Sequence, residues 1–161
     1  MAEVFFMKIQ WKKLIICLIV PLAVGGLSAL LTGNAMQSFN NVAKPPLSPP
    51  GWLFPVVWTV LYLLMGYASY LVVREQKPTD TSLAVYGLQL FFNFCWSIIF
   101  FRFESYLFAF VWLVLLWLLI LAAILLFRRT SKTAAYLLIP YLLWVSFAGY
   151  LNFGIWMLNK T

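Results

Sequence analysis

Polar residues in this chain gather in a few short clusters, and the stretches between them carry hardly a charge. Five apolar runs, at about 14–33, 52–73, 82–103, 106–127 and 134–158, each reach the roughly 20 residues that a helix needs to cross a bilayer. The pattern predicts an all-α membrane protein: a five-transmembrane-helix bundle in which residues 1–161 form a single domain. The first run follows Lys8, Lys12 and Lys13, as a secretory signal would, and Gly33 and Ala35 approximate a cleavage site. Its apolar stretch is longer than the roughly 7–15 residues of a signal core, so we expect it to be kept as a helix. Within it Gly25, Ala29 and Gly33 recur every four residues, a spacing that lets a neighbouring backbone come close.

Three of the runs have a distinct face. In the second, Trp58, Tyr62, Met65 or Gly66, and Ser69 fall at three- and four-residue steps and so share one side of a helix. In the third, Tyr86, Gln89, Asn93, and Trp96 or Ser97 do the same. In the fifth, Pro140, Tyr141, Trp144, Ala148, Leu151 or Asn152, and Ile155 line up, and Pro140 should kink the span and free a carbonyl. An amide facing hydrocarbon is costly, so Gln89 and Asn93 are expected to look inward. There they either bond between helices or meet a ligand. The fourth run has no polar side and is expected to face lipid widely, with Trp112 and Trp117 as packing or interfacial residues. The longest polar connection, 34–51, ends in Pro45, Pro46, Pro49 and Pro50, which cannot donate backbone hydrogen bonds; it reads as a rigid lid.

Composition agrees. The chain is 65% hydrophobic and 9% charged, against about 25% charged in a soluble domain. The net charge of +7 does not form the basic face that a nucleic-acid binder needs, so no nucleic-acid partner is expected. It instead orients the chain in its lipid bilayer. Lys8, Lys12, Lys13, Arg74, Lys77, Arg128, Arg129 and Lys132 fall on one side, and only Lys44, Arg102 and Lys160 on the other. That asymmetry puts the N-terminus in the cytoplasm, and the C-terminus and the lid outside.

Cys17 and Cys95 lie in apolar runs and read as small buried hydrophobes. With no histidine and four acidic residues, no metal site and no acid–base pair of the usual kind is expected. Trp58 and Tyr62, Gln89 and Asn93, and Trp144 and Asn152 would converge either as bundle core or as a concave, apolar pocket for a large planar ligand.

The run KPPLSPPGWLFPVVWTVLYLLMGYASY at 44–70, LQLFFNFCW in the third run and PYLLWVSFAGYLNF in the fifth resemble the TspO/MBR family. These are the tryptophan-rich sensory proteins, related to the translocator protein (peripheral benzodiazepine receptor) of mitochondria. The resemblance implies a five-helix bundle, usually a homodimer, with a pocket closed by the first loop. It also implies porphyrin ligands, protoporphyrin IX or haem, and synthetic isoquinoline- or benzodiazepine-type ligands, with no cofactor required. On the family's motifs, the pocket tryptophan falls on Trp58, its tyrosine on Tyr62, the asparagine on Asn93, the second tryptophan on Trp144, the small residue on Ala148 and an aromatic on Phe54. Gln89 and Asn152 join these as candidate ligand contacts, and Lys44 could meet propionates. Leu47 stands where many members carry a loop tryptophan, and the family's upstream WY pair is replaced around Phe39. Phe153 and Met157 replace the tyrosine and basic residue of the animal sterol motif, so cholesterol is not expected, which suits a multi-pass protein of a bacterial cell membrane.

The expected function is a porphyrin receptor or transporter-like protein. The alternatives are light- or oxygen-dependent porphyrin degradation, with Trp58 and Trp144 as the redox-active residues, and a ligand-dependent regulatory scaffold.

Overall fold

The computed structural model describes residues 8–75 and 80–160. Lys77, counted above among the charges on the N-terminal side, lies outside the described residues. Inside a bilayer every backbone N–H and C=O must be satisfied within the chain, which leaves a nearly charge-free sequence the helix as its simplest solution. Accordingly the described residues are helical, without strands. α1 spans Trp11–Thr32, the short α2 Ala35–Phe39, α3 Leu53–Arg74, α4 Asp80–Ser97 with a wider π turn at Ile98–Arg102, α5 Tyr106–Thr130, α6 Lys132–Leu137 and α7 Ile139–Asn159. Five spans are long and apolar enough to cross a membrane: α1, α3, α4 with its π turn, α5, and α6 with α7. The protein is a multi-pass membrane protein.

Around this bundle α1 packs on α3 and α4, α4 on α5, and α5 on α6 and α7. The α1–α3 contact is close because two glycines leave room. A Cβ on Gly66 would lie 2.7 Å from the Cys17 carbonyl oxygen and 2.8 Å from the Leu18 Cα, and one on Gly25 would collide with the Tyr62 ring. Of the small-residue series in α1 only Gly25 makes such an approach; Ala29 and Gly33 are exposed, and Pro21, Ser28 and Thr32 are buried instead. Four-residue steps advance the face by about 40° each on a 3.6-residue helix, so the series drifts off the contact within two steps. Cys17 and Cys95 are both free and half-buried, not fully enclosed.

α5 has the wide outward surface expected of it, and an inward face besides. Ala109, Leu113, Leu116, Ile120, Ala123 and Phe127 form a buried stripe at three- and four-residue steps, while Leu107, Phe108, Val111 and Leu118 face outward. Trp112 stacks on Phe92 at 4.3 Å and donates to the Phe92 carbonyl at 2.8 Å, which makes it a packing residue.

The fifth span departs from the single kinked helix expected over 134–158. It is two helices. Ser131 Oγ accepts the Ala134 N–H and caps α6; the helix stops at Leu138, and Pro140 sits in the first turn of α7. There its missing N–H costs nothing, because that donor would have no helical partner anyway. The consequence is positional. α6 lies against α3 and α5, whereas α7 packs chiefly on α5, leaving room between α7 and α3.

Candidate functional site

The three expected faces all turn inward. Tyr62, Met65, Ser69, Tyr86, Gln89, Asn93, Trp96, Tyr141, Ala148, Asn152 and Ile155 are buried; Trp58 and Trp144 are half-buried. Only Pro140, at the start of its helix, is exposed.

The polar members of those faces bond to one another. Tyr62 donates its hydroxyl to Asn93 Oδ1 at 2.9 Å. Asn93 Nδ2 donates to the Tyr141 hydroxyl at 2.7 Å, and Tyr141 in turn donates to Gln89 Oε1 at 2.8 Å. Gln89 Nε2 ends the series on the Met65 sulfur at 3.8 Å, a soft and weak acceptor. One chain of hydrogen bonds thus runs through α3, α4 and α7. The third amide is engaged as well: Asn152 accepts from the Trp96 indole at 3.1 Å and donates to the Tyr106 carbonyl at 2.7 Å. Of the two roles open to Gln89 and Asn93, the structure displays the interhelical bond.

Rings fill the remaining interior. Trp58 stacks on Tyr62 at 5.6 Å and meets Tyr141 and Trp96 at 6.1 and 6.5 Å. The π turn brings the consecutive Phe100 and Phe101 to one side, where both meet Trp96 and Phe39. Phe39, from α2, also meets Phe54 at 6.4 Å, and Phe54 meets Trp144 at 5.9 Å. One series of rings thus runs from Trp58 through Trp96, Phe100, Phe101, Phe39 and Phe54 to Trp144; at its far end Trp144 lines another space.

That space is the opening between α3 and α7. Val56, Val57, Val60, Leu61 and Leu64 form one wall; Pro140, Leu143, Trp144 and Phe147 form the other, around about 590 Å³. The two-helix construction of the fifth span produces it. The lining side chains are apolar, Trp144 contributing its ring; among the described residues its indole N–H is a buried donor without a protein partner. Such an atom is uncommon and costs on the order of 1–3 kcal/mol when left unpaired. A second apolar recess of about 360 Å³ lies between α5 and α7, but its polar groups are occupied, with the Trp117 indole donating to Ser146 Oγ at 2.8 Å.

The loop covers the end of the bundle where α7 finishes. Lys44 does not project freely: its ammonium sits 4.7 Å above the Phe39 ring and reaches the Asn40 carbonyl at 3.4 Å. Leu47 is 84% exposed at a φ of 67°, so the residue in place of the loop tryptophan contacts little. Two residues that hold the loop were missed in sequence: Tyr150 and Asn159, whose side chains bond the backbone of Pro46 and Ala43. Asn159 lies seven residues beyond Asn152, two turns on along the same face, and that spacing was the available signal. Tyr150 had none.

A family model described as the TspO/MBR family matches residues 17–157. The chain is 41% identical over 154 residues to a tryptophan-rich protein TspO of Chlorobaculum tepidum, covering 93% of this chain and 98% of that one. It is 33% identical over 153 residues to a tryptophan-rich sensory protein of Cereibacter sphaeroides, with 95% of each chain covered. It is also 35% identical over 136 residues to the translocator protein of Homo sapiens, covering 82% of this chain and 80% of that one.

Proposed function

This chain belongs to the TspO/MBR family, and from that premise we propose that it is a membrane receptor for porphyrins such as protoporphyrin IX or haem, bound in the opening between α3 and α7. The observation that carries the reading is an apolar space of about 590 Å³ with the Trp144 and Phe147 rings on one of its walls. That volume lies in the usual range of roughly 300–1,000 Å³ for small-molecule sites, which pair apolar walls with a few orienting polar groups. A flat conjugated ligand would lie along the valines and leucines of α3 and stack on Trp144 and Phe147. Planar synthetic ligands of isoquinoline or benzodiazepine type would satisfy the same walls.

Among the lining residues none can take or give a proton, which favours binding over acid–base chemistry. Trp58 acts behind this site: it and Tyr62 form the packed interior on which α3 rests. We assign the loop side to the outside of a bacterial cell membrane and the N-terminus to the cytoplasm, on the distribution of lysines and arginines, and a homodimer as the assembled form.

The test is a protoporphyrin IX titration followed by tryptophan quenching in detergent, comparing the native chain with Trp144→Ala and Asn152→Ala. Trp144→Ala should weaken binding at least tenfold with the helical signal intact; Asn152→Ala, away from the opening, should leave affinity unchanged within threefold. Equal affinity of the native and Trp144→Ala proteins would refute the site.

A further inference from the structure

The opening between α3 and α7 lies well inside the membrane spans. At a rise of about 1.5 Å per residue, Val60 is about 10 Å along α3 from Leu53 and about 21 Å from Arg74, and Trp144 is about 22 Å along α7 from Asn159. A hydrocarbon layer about 30 Å thick takes in both walls. At the rim Val56, Val60 and Leu143 are half or more exposed, and on a membrane-spanning helix an exposed apolar side chain meets acyl chains. The opening looks into lipid, not into water.

Its chemistry is as one-sided as its position. None of the lining residues is charged or titratable. α3 carries no charge before Arg74, and α7 carries none at all. Lys44 is engaged elsewhere, with its ammonium 4.7 Å above the Phe39 ring. The buried amides are occupied too: Asn93 and Gln89 bond to Tyr62, Tyr141 and Met65, and Asn152 bonds to Trp96 and Tyr106. An ionised group in hydrocarbon without a partner is very costly; it loses its charge or moves to the interface. A planar ligand with two carboxylates would have to draw them away from the hydrated surface in order to enter. A ligand without charge meets no such cost, and the walls accept its rings equally well.

We propose that the opening discriminates by charge: it takes up the uncharged form of a planar conjugated ligand and rejects the ionised form, so that a porphyrin with esterified carboxyls binds more tightly than the same ring with free carboxylates. Val60 and Leu143, apolar on the two sides of the mouth, are the residues that withhold a counter-charge. The inference rests on the porphyrin reading given under Proposed function and ranks the ligands within it.

The test compares protoporphyrin IX with its dimethyl ester on the full chain in phosphatidylcholine vesicles at neutral pH. Binding is followed by tryptophan quenching, and each affinity is expressed per ligand dissolved in the membrane, so that unequal partitioning cancels. The ester should bind the native chain at least about tenfold more tightly, since a carboxylate near the middle of a span is disfavoured by more than that. Leu143→Arg and Val60→Lys each put a cation at the mouth and should turn the preference toward the free acid. The two lie on different helices, so one remains informative if the other misfolds. Leu30→Arg, on the exposed side of α1, should leave the ratio unchanged. A native chain that holds the free acid more tightly than the ester overturns the selectivity and leaves the porphyrin reading standing; so does a ratio that neither mouth variant moves. If the native chain binds neither porphyrin, that reading fails, and pyrenebutyrate against its methyl ester, a smaller planar pair, decides the selectivity by the same ratio. Binding of neither pair overturns both.

Discussion

Asn93 offers the sharpest test of how the interior is held, because one side chain joins three helices. It is fully enclosed, accepts from Tyr62 at 2.9 Å and donates to Tyr141 at 2.7 Å. Asn93→Ala removes both bonds. Interhelical hydrogen bonds within membranes contribute about 0.6 kcal/mol on average and up to about 2, so the direct loss is on the order of 1–3 kcal/mol. The two hydroxyls left behind fare differently. Tyr141 still donates to Gln89 at 2.8 Å, whereas Tyr62 loses its acceptor in a buried site, adding about 1–3 kcal/mol. The expected total is about 2–6 kcal/mol. Unfolding by increasing SDS in mixed micelles, followed by tryptophan fluorescence, measures it.

A double-mutant cycle then isolates the pair. Tyr62→Phe removes the hydroxyl that Asn93→Ala would strand, so the double variant should be more stable than the sum of the singles by about 1 kcal/mol or more. Strict additivity, or an Asn93→Ala cost below about 0.5 kcal/mol, would refute the hydrogen-bonded spine. The same proteins separate two roles for Asn93. A structural bond predicts lost stability, while a direct ligand contact predicts lost porphyrin affinity at native stability.

The other expectations can be stated together. Gly25→Ala should destabilise the bundle by about 1–3 kcal/mol, the usual scale of overpacking, because its Cβ meets the Tyr62 ring; Gly26→Ala, with nothing within 4 Å, should cost nothing measurable in the same SDS titration. Trp144→Phe deletes an unpartnered buried N–H and should hold or raise the thermal midpoint while weakening protoporphyrin IX binding; a lowered midpoint would mean that the indole N–H has a partner in the folded protein. Pro140→Ala restores a donor where α6 gives way to α7. Joining the two helices should narrow the opening, read as weaker porphyrin binding with stability unchanged or improved.

Much of the bundle was legible because hydrocarbon is a strict solvent. It requires runs of about 20 apolar residues and turns scarce amides inward, so the five spans and the inward faces of Gln89, Asn93 and Asn152 follow from composition and a 3.6-residue period. The family motifs were legible for the same reason: they lie on those faces. The partners of those side chains were not. That Asn93 links Tyr62 to Tyr141, or that Trp96 meets Asn152, depends on how α3, α4 and α7 are rotated against one another, and periodicity on a single helix says nothing of its neighbour's rotation. Trp58 and Trp144 illustrate the limit. Both sit on inward faces in the sequence, yet packing sends one into the ring-filled interior and the other to the wall of an opening. That division originates at Leu138 and Pro140. The sequence announces a disturbance in the fifth span; only the packing of α6 against α3, with α7 diverging along α5, turned it into a break and made a space beside Trp144. Local chemistry determined the helices and which sides avoid lipid, and the arrangement of whole helices in three dimensions decided where the cavity lies.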